Sequence, residues 1–149
     1  MRKLTLLLIL AISFLSCNKE DTTNAEADDV VIQEYLTENS IEAIKHESGL
    51  YYLITQQGSG NNPTISSKIT IKYRGYFTDN SVFDESWNSP ATFYLTNLIR
   101  GWQIGIPLLK PGGKCTLFIP SNLAYGSNGN GSVPGNTVII FDIELIEVE

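Results

Sequence analysis

Five short runs hold the side chains of this chain that could do chemistry: Lys72-Tyr73-Arg74-Gly75-Tyr76, Val82-Phe83-Asp84, Leu98-Ile99-Arg100-Gly101-Trp102, Ala124-Tyr125-Gly126 and Phe141-Asp142-Ile143-Glu144-Leu145. In the third run two branched aliphatics stand beside a Trp in a segment too short to bury all three as ordinary core. Together the runs offer the rings of Tyr73, Phe83, Trp102 and Phe141, the carboxylate of Asp84 and the hydroxyl of Tyr125. They bring no nucleophile, no metal-ligand cluster and no phosphate loop. Such a set suits an apolar pocket that takes a compact ring and holds one or two carbonyls. The single histidine, His46, lies well upstream, which removes Ser-His-Asp and His-based metal chemistry; no metal or cofactor is expected.

These residues need strands to carry them. Residues 50–55 read as a first strand, stopped by the Gly/Asn/Pro segment 58–63. Residues 68–74 alternate, with Ile69, Ile71 and Tyr73 on one face. A turn at 78–81 returns the chain into a strand at 82–84, and 92–95 forms a further short strand, with Phe93 and Tyr51 assigned to core. Residues 98–105 form the one helix expected in this region, with Asn97 as N-cap and Pro107 as its stop. Strands follow at 114–120 and 138–148; Cys115 reads as a small buried hydrophobe in the first of them. Between them the Gly- and Asn-rich segment 125–136 reads as a mobile, exposed loop of the kind that often carries function. Strands with one short helix make an α+β domain with an antiparallel sheet.

Charge divides the chain. Residues 17–48 hold Glu20, Asp21, Glu26, Asp28, Asp29, Glu34, Glu38, Glu42 and Glu47 against Lys19 and Lys45, whereas acids and bases nearly balance from Gly49 onward. The formal net charge of −6 therefore comes from the N-terminal part. No basic stripe suited to a phosphate backbone is present, so nucleic acid is not an expected partner. Residues 18–29 show no periodicity and read as a disordered acidic spacer. Asp28-Asp29 before Val30-Val31-Ile32, with Tyr35-Leu36 beyond, suggest a short helix ending near Asn39; residues 41–48 stay open between a second helical turn and an edge strand.

The start of the chain reads as an address. Met1-Arg2-Lys3 is basic, and the apolar run 4–15 is too short to span a bilayer as a mature helix. Ser16-Cys17 at its end resembles a bacterial lipoprotein signal cleaved before Cys17, whose thiol would carry a diacylglycerol; Phe14 stands where Leu is usual. An ordinary secretory signal containing a Cys is the alternative. Acyl chains contribute about 0.8 kcal/mol per buried methylene, enough in a multiply acylated terminus to hold the protein on a membrane. Asn18-Lys19-Glu20-Asp21 looks like the surface-export signal of some Gram-negative lipoproteins. The expected location is a lipid anchor in the bacterial envelope, at the outer membrane, with surface display favoured over the periplasmic leaflet. The expected organisation is a signal peptide at 1–16, an acidic flexible tether at 17–29, a helical extension at 30–48 and one domain at 49–149.

The domain resembles the FKBP-type peptidyl-prolyl cis/trans isomerases. The resemblance rests on Tyr73-Arg74-Gly75, Phe83-Asp84, Leu98-Ile99-Arg100-Gly101-Trp102, Pro111-Gly112-Gly113, Ile119-Pro120, Ala124-Tyr125-Gly126, Val133-Pro134 and Phe141-Asp142-Ile143-Glu144-Leu145. Each is weak alone, and their order and spacing are specific. It implies a curved antiparallel sheet of five to six strands wrapped around one short helix, with a pocket between them. It implies Trp102 as pocket floor, Tyr73, Phe83 and Phe141 as aromatic walls, and Leu98 and Ile99 at the entrance, with the Ile99 N–H holding a substrate carbonyl. Tyr125 would hold a second carbonyl, Val133 would close the loop side, and Asp84 would border the twisting amide. Asp84 has simpler alternatives: an ion pair with Arg74 or a hydrogen bond with Tyr73.

Two departures bear on substrate preference and drug affinity. Ala91 occupies a wall position that is aromatic in drug-sensitive eukaryotic members, and the loop before Val133-Pro134 has Ser132 where a bulky apolar residue is expected. The implied partners are proline-containing segments of unfolded proteins, with macrolide inhibitors as candidate ligands and a membrane reached through the N-terminal lipid. The implied activity is prolyl isomerisation that assists folding of exported proteins. A catalytically weak binding or chaperone module of the same fold is the first alternative. A β-rich adhesin or small-ligand carrier is the second, and it would scatter Tyr73, Phe83 and Trp102 through separate layers.

Overall fold

The computed structural model describes residues 19–149. The signal peptide and the lipidated Cys17 expected from the sequence lie outside these residues. Seven strands form one antiparallel sheet: β1 (Ile44–Lys45), β2 (Tyr51–Gln56), β3 (Lys68–Tyr76), β4 (Val82–Glu85), β5 (Ala91–Tyr94), β6 (Lys114–Ile119) and β7 (Ile139–Val148). The order is β1-β2-β6-β7-β3-β4, and β5 pairs with the part of β3 that β4 leaves free. β1, beyond the five or six strands expected, is a two-residue edge pairing of Ile44 and Lys45 with Tyr52 and Tyr51, so only these two residues of 41–48 form edge strand.

Alternation in β3 and β7 builds the concave face. Tyr73 pairs with Ile143 and Gly75 with Phe141, so Ile69, Ile71, Tyr73, Phe141, Ile143 and Leu145 point to one side and are buried there. The short helix α2 (Arg100–Gly105) lies on that side with Trp102, Ile106 and Leu109 in the same core. Its two glycines, one helical turn apart, face β6. A Cβ on Gly101 would stand 2.5 Å from Ile119 Cγ2, and one on Gly105 would stand 2.7 Å from the Leu117 methyls. Only a bare backbone lets the helix lie this close to the strand.

The start of α2 differs from expectation. Asn97 ends a 3-10 turn (Leu95–Asn97), the N-cap position is Ile99, and no side chain caps it. Pro107 does not stop the chain's winding either. It sits in the first turn of a second 3-10 segment, Ile106–Leu108, where its missing N–H costs nothing.

The largest correction is at the N-terminus. Residues 19–29, expected as a disordered tether, belong to a helix α1 (Lys19–Glu38) that also takes in most of the expected extension. Tertiary contact is the reason. Ile32, Tyr35 and Leu36 pack with Tyr51, Phe118, Val138 and Ile140 on the convex face of the sheet. Burying three such side chains is worth about 1.5–3 kcal/mol each. Lys45 pairs with Asp29 at 2.6 Å, and the Tyr51 hydroxyl donates to the same carboxylate at 2.8 Å. The sheet is thus covered on both faces, which is why Phe118 and Ile140 are buried alongside their inward-facing neighbours.

Residues 125–136 are also less open than expected. The Gly126 N–H donates to Ser121 O and the Asn136 N–H to Gly126 O, both at 2.8 Å, and Asn130 and Val133 bond each other's backbone. Val133 is buried in the concave core.

Candidate active site

A cavity of about 300 Å³ opens between α2, the concave face and the loop after β6. Tyr73, Asp84, Phe93, Asn97, Leu98, Ile99, Trp102, Tyr125, Asn130 and Phe141 line it. Its aromatic wall is built from edge contacts among Tyr73, Trp102 and Phe141, with Phe83 behind them. Trp102 and Phe141 meet edge-on with ring centroids 4.8 Å apart, Tyr73 meets Trp102 at 5.2 Å and Phe141 at 5.9 Å, and Phe83 meets Phe141 at 5.5 Å. Edge-to-face contacts of this kind fix each ring's tilt as well as its position. Gly75 makes room for them: a Cβ there would lie 2.5 Å from Phe141 and 2.7 Å from Phe83.

The polar groups sit around that apolar box. The Tyr73 hydroxyl donates to Asp84 Oδ2 at 2.9 Å. Burial, with the Asp84 carboxylate adding to it, pushes the Tyr73 phenol up to about 12. Burial and the Asp84 charge also raise the Tyr125 phenol, against a hydrogen bond with Asn130. Both hydroxyls therefore stay protonated at neutral pH and act as donors. The Trp102 Nε1 is buried without a hydrogen-bond partner. At the entrance, Ile99 precedes the first helical residue, so its N–H has no intrahelical acceptor. Gln103 ties this entrance to α2 by donating from Nε2 to the carbonyls of Leu98 (2.7 Å) and Thr96 (3.1 Å).

The FKBP-type peptidyl-prolyl cis-trans isomerase family model matches residues 60–146, more than half of the chain. The chain belongs to this family. It is 40% identical over 139 residues to the FKBP-type peptidyl-prolyl cis-trans isomerase FkpA of Aeromonas hydrophila, covering 87% of this chain and 52% of that one. It is 39% identical over 105 residues to the peptidyl-prolyl cis-trans isomerase Mip of Coxiella burnetii, covering 68% and 46%. The crystal structure of FkpA from Escherichia coli superposes with a TM-score of 0.76 at 32% identity, covering 86% of this chain and 62% of that one. AtFKBP13 superposes with a TM-score of 0.67 at 35% identity, covering 72% and 99%. The chain spans about half the length of the curated relatives it matches.

Within this FKBP-type frame the structure brings Tyr73, Asp84, Leu98, Ile99, Trp102, Tyr125 and Phe141 to one cavity, as the sequence suggested. Phe83 stands behind Phe141, packed also on Phe77 at 5.0 Å, and is not a lining residue. Val133 is buried in the core beneath, and Ala91 packs against that core without lining the cavity. Phe93, assigned to core from the sequence, lines the cavity instead. It lies two residues along β5 from Ala91, hence on the same face of the strand. Asp84 is exposed and bonded to Tyr73, while Arg74 pairs with Glu85 at 3.0 Å, so the ion-pair alternative for Asp84 is not what forms. Asn97 and Asn130 are lining residues that sequence reasoning missed, since nothing local distinguishes them from turn asparagines.

Proposed function

We propose that this cavity binds a prolyl residue within a polypeptide and speeds cis/trans interconversion of the preceding peptide bond. The observation that carries this reading is the box of Trp102, Phe141 and Tyr73, sized for one small ring and bordered by the donors Tyr125 and Ile99 N–H. The reaction breaks no bond to carbon. Its barrier of about 18–20 kcal/mol is the loss of amide resonance on twisting, and uncatalysed exchange at X–Pro takes tens to hundreds of seconds.

The box holds the pyrrolidine ring by apolar contact and keeps water from the bond that rotates. The planar amide is more charge-separated than the twisted one, so a dry site lowers the twisted form relative to the planar form. Donors on the flanking carbonyls hold the chain on either side, so that motion is confined to one bond. Asp84 borders this space with a carboxylate oriented by Tyr73.

The test is a proline-peptide isomerisation assay on the wild type, Trp102→Leu and Tyr125→Phe. The reading expects both variants to be slower. Wild-type protein no faster than the variants would leave the second reading, a binding or chaperone module of the same fold. Candidate ligands of the same cavity are macrolides carrying a pipecolyl ring, and displacement of the peptide by such a compound would support the site.

The clients we propose are exported proteins folding in a bacterial envelope, with the chain anchored through acylated Cys17 at the outer membrane and displayed outward. Cys17→Ser should move the protein from the membrane to the soluble fraction. Protease added to intact cells should remove the wild type if it faces outward and spare it if it faces the periplasm.

A further inference from the structure

We propose that α1 braces the loop that carries Tyr125, with Asp28 as a positioning residue for that hydroxyl. This rests on the isomerase reading of the cavity and adds to it a part of the chain outside the residues matched by the family model.

Asp28 is 5% exposed and Ser121 2%. The Asp28 Oδ2 accepts the Ser121 N–H at 2.7 Å and the Ser121 hydroxyl at 2.6 Å, across 93 positions of sequence. Ser121 opens the 3-10 turn Ser121–Leu123 that leads into Tyr125. Its carbonyl accepts the N–H of Ala124 at 3.0 Å and that of Gly126 at 2.8 Å, the residues on either side of the tyrosine. Gly126 O in turn accepts the Asn136 N–H at 2.8 Å, which closes the loop at its far end. There α1 touches again: Asn24 Nδ2 donates to Asn136 Oδ1 at 3.2 Å. Asn24 and Asp28 are one helical turn apart on the same face. A single face of α1 therefore holds both ends of the loop, and Tyr125 stands between the anchored ends.

Attachment of the helix does not explain the carboxylate. Ile32, Tyr35 and Leu36 already fasten α1 to the sheet, and a well-packed apolar residue usually docks at least as well as a buried charge. A buried carboxylate that spends its hydrogen bonds on one serine fixes direction, because two short charge-assisted bonds hold Ser121 in one orientation. The hydrogen bonds from Ser121 O pass that orientation to the backbone around Tyr125.

The experiment is a double-mutant cycle on the full chain, reading kcat/KM for a proline peptide in wild type, Asp28→Ala, Tyr125→Phe and the double variant. Asp28→Ala should lower kcat/KM by about tenfold, in line with the loss of one oriented charge-assisted interaction. In the Tyr125→Phe background the same change should cost less than about twofold, since coupled residues do not add. Asp28→Asn keeps an acceptor oxygen and should recover most of the activity. Amide hydrogen exchange at Gly126 and Asn136 should speed up in Asp28→Ala while the amides of β7 keep wild-type protection.

Equal losses in both backgrounds, or unchanged exchange at Gly126 and Asn136, would overturn the brace. If Asp28→Ala does not fold, Asn24→Ala at the exposed end of the contact decides instead. Faster exchange at Asn136 supports the brace in that variant, and wild-type exchange overturns it. A wild-type chain without turnover sinks the isomerase reading alone, and the exchange measurement then decides the brace by itself.

Discussion

Gly101→Ala separates the placement of the cavity floor from the stability of the fold. The added Cβ would meet Ile119 Cγ2 at 2.5 Å, Cδ1 at 2.8 Å and Cγ1 at 3.1 Å. Carbon atoms pack at about 3.5–4.0 Å, so α2 and β6 must part by about 1 Å. Ile119 is fully buried and β-branched, so its γ-methyl cannot swing aside and the helix is what moves. Trp102 is the next residue and moves with it. In stability, overpacking costs about 1–3 kcal/mol and the gain in helix propensity returns about 0.8–1 kcal/mol, leaving a net loss of about 0–2 kcal/mol. In catalysis, a misplacement of about 1 Å costs on the order of a hundredfold. Gly105→Ala is the matched control. Its Cβ meets the two terminal methyls of Leu117 at 2.7 Å; Leu117 is as buried as Ile119 but has no branch at Cβ, and the contact lies a helical turn away from the indole. Urea unfolding and the proline-peptide assay should therefore show similar stability for the two variants and a fall in kcat/KM at least tenfold larger for Gly101→Ala. Equal activity in both, or a Gly101→Ala protein as fast as wild type, would refute the claim that close helix–strand approach sets the floor.

Two further outcomes concern pH. Burial raises Tyr73 from 10.0 to about 12 and Cys115 from 9.0 to about 12. Raised values mean the folded state keeps protons that the unfolded chain gives up, so this stability is whole below about pH 9 and falls between about pH 9 and 12. Urea midpoints should drop across that window, and Tyr73→Phe should flatten the part above pH 10. On the acid side, the Lys45 ammonium holds Asp29 below 3.8, so its contribution is present above that value and lost as pH falls through the lower folded value. Lys45→Met should shrink that acid loss, measured by urea unfolding at pH 5 and pH 3, whereas an unchanged difference would show that the pair is inert.

Much of the sheet was legible because alternation is local. Ile69, Ile71 and Tyr73 declared a face within one strand, and the strand at 138–148 was marked by its run of β-branched residues. The two-sided burial of Phe118 and Ile140 left a trace in the unbroken apolar runs 117–119 and 138–141, a mark of strands covered on both faces. The layer that covers the second face is α1, which the reading of the N-terminal part as a tether and short helix did not place there. Phe93 was open to the same kind of reading, since a ring two residues from Ala91 on an edge strand shares its face. Asn97, Asn130 and Gln103 carried no such mark, because amide side chains look alike in turns and in sites until their partners are known.

Sequence alone determined which rings, hydroxyls and carboxylates this chain has to offer, and through their order the family to which the domain belongs. Side-chain type and period are properties of neighbouring residues, so no folded partner is needed to read them. The tertiary structure decided what those groups face: that Phe83 and Val133 stand behind the cavity, that Asp84 bonds Tyr73, and that an acidic N-terminal stretch is helical because Ile32, Tyr35 and Leu36 pack on the convex face of the sheet. Those outcomes depend on distances between residues far apart in the chain, and such distances exist only after the strands have paired and both faces of the sheet are covered.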